Sequence, residues 1–160
     1  MTDQTAAAPE ATPITRVTRT FAVPRAQVFA AWTSADTIKQ WFSPQFFTVP
    51  EAELDPREGG VFNLCMRGPD GSDSWMRGQF LEFASDKRLG FVSDVAGPDG
   101  VVLFRATTEV DFRDAGASTQ VDVEQRYEVF APVARQMVGY AALGWEQTFD
   151  RLGRALASPA

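Results

Sequence analysis

The sequence predicts an α+β domain: a curved antiparallel sheet of about six to seven strands around one long C-terminal helix, with two short helices after the first strand. Three observations carry this. Apolar and polar side chains alternate with a period of two through most of Phe46–Val129, punctuated by turns rich in Gly, Pro and Asp. Apolar residues recur at three- and four-residue steps from Val133 to Leu156. Helical periodicity occurs only outside the strand block, which favours a meander of strands over alternating strand–helix units.

Residues 1–13 lack large apolar side chains and read as a disordered tail. The domain proper runs over 14–157, with 158–160 as a C-terminal tail. Ile14–Phe21 alternates as a first strand. Pro24 suits the first position of a helix carrying Val28, Phe29 and Trp32. Ser34 caps a second short helix, which ends before Pro44. Phe46–Leu54 is the next strand, and Gly59-Gly60 a turn that tolerates no side chains. Phe62, Leu64 and Met66 share one face of the strand that follows. Gly68-Pro69-Asp70-Gly71, Asp86-Lys87-Arg88 and Gly97-Pro98-Asp99-Gly100 separate further strands. Between 74 and 83 the apolar residues change parity, and a bulge near Gly78 reconciles them. Val101–Phe112 and Ser118–Val129 are long strands. The last turns Thr119, Val121, Val123, Gln125 and Tyr127 one way and Gln120, Asp122, Glu124, Arg126 and Glu128 the other. Pro132 opens a helix of about 25 residues, or ~37 Å, whose apolar stripe needs the sheet as partner.

Composition bounds the function. The 160 residues are 44% hydrophobic and 22% charged, with 13 Phe, 4 Trp and 2 Tyr. A chain this long buries roughly 70% of its unfolded surface without staples. The net charge of −6 argues against nucleic acid, which requires a basic face. No apolar run reaches the ~18 residues of a membrane span, and the start lacks a signal peptide. A single cysteine, Cys65, forbids an internal disulfide and fits a cytoplasmic protein. The absence of His removes the commonest general base and transition-metal ligand. No cofactor, metal or catalytic motif is expected.

Several residue runs occur in a familiar order. They are Phe21-Ala22-Val23-Pro24-Arg25-Ala26-Gln27-Val28-Phe29, Ile38-Lys39-Gln40-Trp41-Phe42-Ser43-Pro44, and Asp55-Pro56-Arg57-Glu58-Gly59-Gly60. Met66-Arg67-Gly68-Pro69-Asp70-Gly71, Arg77-Gly78-Gln79-Phe80-Leu81-Glu82 and Gly144-Trp145-Glu146-Gln147-Thr148-Phe149-Asp150-Arg151-Leu152 follow. Over about 14–157 the chain resembles the START-like (SRPBCC) superfamily. Within it, the chain is similar to the branch named after the C-terminal domain of the activator of heat-shock-protein-90 ATPase. The resemblance implies a helix-grip fold, with the sheet gripping the last helix around an apolar cavity. Related branches bind lipids, sterols, polyketides or hormones, and some cyclise or hydrolyse polyketides. The chaperone activator binds its chaperone through a further N-terminal domain, for which this chain leaves no room. No catalytic residue carries over.

The expected function is binding of a small apolar or aromatic molecule between sheet and helix. Trp41, Phe46, Phe62, Leu64, Met66, Phe80, Phe91, Met137, Tyr140 and Trp145 are the candidate lining. Trp41, Phe42 and Phe46 read equally as an aromatic gate or as packed core. Tyr140 is the polar candidate, with a bond to a strand carbonyl as its alternative role. Arg105 and Gln125 join it if their faces turn inward. Glu51, Glu53 and Asp55 read as a solvated face, Asp55 and Arg57 as a turn-holding pair, and Cys65 as an inert, partly buried thiol. Two rival functions stand beside binding: a polyketide cyclase or hydrolase using pocket carboxylates or Tyr140, and a stress-related chaperone-interacting module. A homodimer is left open.

Overall fold

The computed structural model describes residues 13–157. In chain order they form β1 (Ile14–Phe21), α1 (Arg25–Thr33), α2 (Ala35–Trp41), β2 (Thr48–Leu54), β3 (Val61–Arg67), β4 (Asp73–Ala84) and β5 (Arg88–Ala96). Then come β6 (Val102–Ala115), β7 (Ser118–Val129), α3 (Pro132–Gly139) and α4 (Ala141–Ala157). The strands make one seven-stranded antiparallel sheet in the order β1-β7-β6-β5-β4-β3-β2. Strands β2 to β7 form the expected meander, and β1 returns to pair with β7, Val17 opposite Val123. The expected tails at 1–12 and 158–160 lie outside the described residues. Pro13 is described, and its carbonyl accepts the Tyr127 N–H at 3.2 Å.

Local chemistry explains the joints. The Ser34 hydroxyl accepts the Thr37 N–H, capping α2 as expected. Pro24 sits one residue earlier than its sequence suggests, at the N-cap of α1. Gly59 has φ +80°, and a Cβ on Gly60 would lie 2.0 Å from the Asp55 carbonyl oxygen. The turn they form is docked onto β4 through reciprocal backbone bonds with Phe80, each 2.9 Å.

The parity change in β4 comes from a bulge, as the sequence requires, but at Leu81 instead of Gly78. Phe80 pairs with Phe91 and Glu82 with Gly90, which leaves Leu81 as the extra residue. Met76 and Phe80 therefore face inward ahead of it, and Phe83 packs against the core beyond it. Gly78 has a separate purpose: a Cβ there would lie 1.7 Å from the Val92 carbonyl oxygen.

The single C-terminal helix of about 25 residues is corrected to two helices. The chain breaks at Tyr140 (φ −98°, ψ 5°), whose N–H turns back to the Met137 carbonyl at 3.2 Å. The physical reason is a change of partner. Helix α3 rests on β6 and β7, whereas α4 rests on β1, α1 and α2. Gly139, a poor helix former, precedes the break. The 17 residues of α4 span about 25 Å.

Helix α4 is tethered to both edges of the sheet. At the β1 edge, Arg19 donates to Asp150 and to Glu146, each at 2.6 Å, and lies 5.7 Å from the Phe149 ring centroid. At the other edge, Arg151 donates to the Ser43 hydroxyl (2.6 Å) and the Phe47 carbonyl (2.7 Å), just ahead of β2. Between these tethers lies an aromatic core. Phe62 and Phe91 stack at 4.2 Å, and Trp32 packs edge-on against Trp41 at 4.8 Å. Aromatic pairs of this geometry add about 0.5–1.5 kcal/mol beyond area burial.

Candidate functional site

The core does not fill the whole space between sheet and helices. Towards the α3 end the concave face opens into a cavity of about 470 Å³. Its floor is the sheet: Met66, Met76, Val95, Phe104, Ala106, Gln125 and Tyr127 from β3 to β7. Its roof is the α3–α4 junction with the start of α4, including Met137, Tyr140, Leu143 and Trp145. The loop after α2 closes one side with Phe42 and Phe47. The described lining residues are apolar or neutral; none is Asp, Glu, Lys or Arg. The volume falls within the range of small-molecule pockets, roughly 300–1,000 Å³.

The ten candidate lining residues separate by depth. Met66, Met137, Tyr140 and Trp145 come together around the cavity. Trp41, Phe62, Leu64, Phe80 and Phe91 face the same interior but lie in the packed core beyond it. Of the aromatic trio after α2, Trp41 is core, its indole N–H bonded to the Ala31 carbonyl at 3.1 Å, and Phe42 is buried with its edge on the cavity. Phe46 is 71% exposed, holds φ +73°, and is not among the described lining residues. Tyr140 is 62% exposed at the helix break, and its hydroxyl meets no strand carbonyl among the described residues.

The polar centre of the cavity is Gln125, inward-facing and only 9% exposed. Its carbonyl oxygen Oε1 accepts two bonds, from Tyr127 Oη (2.5 Å) and from the Trp145 indole N–H (3.0 Å). Its Nε2 donates to Thr108 Oγ1 at 2.8 Å. Burial pushes the Tyr127 hydroxyl up, so it stays protonated at neutral pH and serves as a donor. Arg105, the other conditional candidate, faces outward and pairs with Asp94 at 2.7 Å. Sequence reasoning did not single out Tyr127 or Thr108. The signal for Tyr127 was present, since it shares the inward row of β7 with Gln125.

The other titratable groups lie elsewhere. Asp55 and Arg57 pair at 2.8 Å, and Glu53 accepts from Asn63 at 3.1 Å. No metal-capable cluster occurs among the described residues. Cys65 faces away from the cavity, as expected, but is fully buried instead of partly so. Desolvation pushes its thiol up, and the Asp73 and Glu51 carboxylates push the same way.

The family model described as Activator of Hsp90 ATPase homolog 1-like protein matches residues 22–157, nearly the whole sheet and all four helices. The chain belongs to this family. Solved structures agree on the fold. A crystal structure from Nitrosomonas europaea superposes with a TM-score of 0.77 at 24% identity, covering 92% of this chain and 96% of that one. A solution structure from Arthrobacter aurescens gives 0.80 at 18% identity, covering 92% and 88%. CalU16 from Micromonospora echinospora gives 0.64 at 22% identity, covering 91% and 77%. At these identities the likeness shows the helix-grip fold and nothing about a ligand. No curated protein matches the chain at a significant level. Among the described residues, no helix is long and apolar enough to cross a membrane.

Proposed function

We propose that this family member binds a small apolar or aromatic molecule in the cavity between the sheet and the α3–α4 junction. The supporting observation is the cavity itself: about 470 Å³ of space beside a tightly packed aromatic core, walled by Met66, Met76, Phe104, Met137 and Trp145. A chain that closes one end of its interior so fully has the side chains to close the other. Removing an apolar ligand from water onto such walls is worth roughly 25 cal/mol per Å² buried. Thioether side chains adapt to ligand shape. Tyr140, exposed and part of the cavity lining, supplies an aromatic face at the entry.

The cyclase or hydrolase reading needs an acid or base in the pocket. No carboxylate is among the described lining residues. The carboxylates with displaced titration (Asp70, Asp73, Asp122 and Glu124) are all shifted down by hydrogen bonds away from the cavity. Binding is therefore preferred. A cytoplasmic setting suits the lone reduced cysteine.

The test is a thermal-shift panel of fatty acids, sterols, polyketides and polycyclic aromatics, paired with native mass spectrometry of freshly purified protein. At least one class is expected to raise the melting temperature, with a co-purifying or added ligand bound one to one. Uniform failure in both measurements removes the proposal.

A further inference from the structure

We infer that the cavity selects neutral ligands carrying a carbonyl-type hydrogen-bond acceptor, which takes the remaining N–H of Gln125. This rests on the binding function proposed above and adds the ligand's chemical class and the residue that reads it. An indole nitrogen is a donor only. Trp145 Nε1 lies 3.0 Å from the Gln125 amide, so the amide must present its oxygen there. A flipped amide would set N–H against N–H. Tyr127 Oη adds a second bond to the same oxygen, filling both of its lone pairs. The side chain is thus held in one orientation, with nothing left on it that accepts.

What remains is donation. A glutamine amide carries two N–H groups. One goes to Thr108 Oγ1, and the other meets no acceptor among the described residues. Gln125 lines the cavity and is nearly fully buried, so that N–H is a desolvated polar handle in its wall. A desolvated donor left unpaired in an apolar wall is unfavourable, and a ligand acceptor relieves that cost. No charged side chain stands among the described lining residues, so an anionic or cationic ligand enters without a counter-ion.

The experiment uses 9-fluorenone, fluorene and fluorene-9-carboxylate as probes: one planar frame with a ketone, without it, and with an anion. Affinities are measured by Trp fluorescence quenching on the full chain, for wild type, Gln125→Met and Gln125→Glu. Glu, kept protonated by its buried surroundings, retains an acceptor oxygen for Tyr127 and Trp145 and has a single O–H, which Thr108 Oγ1 takes, so no donor is left for the ligand. The fluorenone-to-fluorene affinity ratio is expected to fall about fivefold in both variants, the worth of one hydrogen bond. In wild type the carboxylate is expected to bind at least about tenfold more weakly than fluorenone. The infrared carbonyl stretch of fluorenone is expected to move to lower frequency on binding wild type, a readout that needs no variant. An unchanged ratio in folded variants, or no shift of the stretch, overturns the assignment while leaving binding intact. Binding of neither neutral probe to wild type, with the failed panel described above, overturns both.

Discussion

Trp32 and Trp145 stack across the interior, centroids 6.0 Å apart and planes 17° apart, joining α1 to α4. Their polar atoms meet opposite fates. Trp145 Nε1 donates to Gln125, whereas Trp32 Nε1 is buried without a partner among the described residues.

That asymmetry sets the first expected outcome. Trp145→Phe removes a used donor and leaves Gln125 Oε1 with one bond instead of two. Trp32→Phe removes an unsatisfied donor, so part of its packing loss is offset. An unpaired buried N–H costs about 1–3 kcal/mol. Trp145→Phe should therefore be the more destabilising by about 2 kcal/mol in urea unfolding. The reverse order would show that ring volume, not the N–H, decides.

Two glycines separate steric need from helix propensity. Gly78→Ala drives a methyl into the Val92 carbonyl, 1.7 Å from the new carbon, with backbone as the obstacle. A loss above about 3 kcal/mol, or failure to fold, is expected. A Cβ on Gly139 meets nothing within 4 Å. Gly139→Ala should gain about 0.4–1 kcal/mol by favouring helix. A destabilised Gly139→Ala would mean that the break at Tyr140 depends on glycine itself.

Asp122 links stability to acid. It accepts from Thr18 (2.8 Å), Arg113 (2.8 Å) and Gln120 (3.0 Å), and these bonds outweigh burial, which pushes the other way, to hold its carboxyl below the ordinary 3.8. A depressed folded value means the unfolded chain binds the proton first. The contribution is complete above that ordinary value and fades as pH falls through the lower folded one. Asp122→Asn should cost about 1–2 kcal/mol at pH 7. The gap to wild type should narrow progressively as pH falls below the ordinary 3.8. Urea midpoints across that range decide it, and a constant gap contradicts the linkage.

The buried thiol gives a kinetic readout. Cys65 is sealed on the outer face between Glu51 on β2 and Trp75 on β4, its register partners, and its thiolate is disfavoured by burial and by Asp73 and Glu51. At pH 8 a thiol reagent such as DTNB should label the native protein at least about 100-fold more slowly than the urea-unfolded chain. Burst labelling of folded protein would contradict the burial.

These residues also mark how far sequence reasoning reaches. The faces of β7 follow from alternation alone, because each residue's parity is local. The bulge position does not: it is set by where Glu82 meets Gly90 on another strand. Gly78 drew attention as a glycine, yet the constraint it answers is the Val92 carbonyl across the sheet. The break at Tyr140 does not show in the apolar stripe, because the stripe runs on in sequence while burial does not: α4 buries Trp145, Phe149 and Leu152, whereas Val133, Met137 and Tyr140 stand exposed and only Ala134 of α3 is buried. For the site, a period of two reveals which side chains turn inward but not how deep they lie. Phe62 and Met66 share one face of β3, yet Phe62 meets Phe91 and Met66 meets the cavity. Gln125 was visible as a polar residue in an inward row, but its fixed orientation depends on Trp145, twenty positions later.

The pairing of β1 with β7 has a consequence for synthesis. Ile14 lies opposite Arg126 and Phe21 opposite Thr119, so the first strand leaves the ribosome about a hundred residues ahead of the strand it pairs with among the described residues. At roughly 5–20 residues per second, that wait is about 5–20 s. Throughout it, Val17 and Phe21 belong to a nascent strand without its sheet neighbour, which gives a ribosome-associated holdase a window in which to engage.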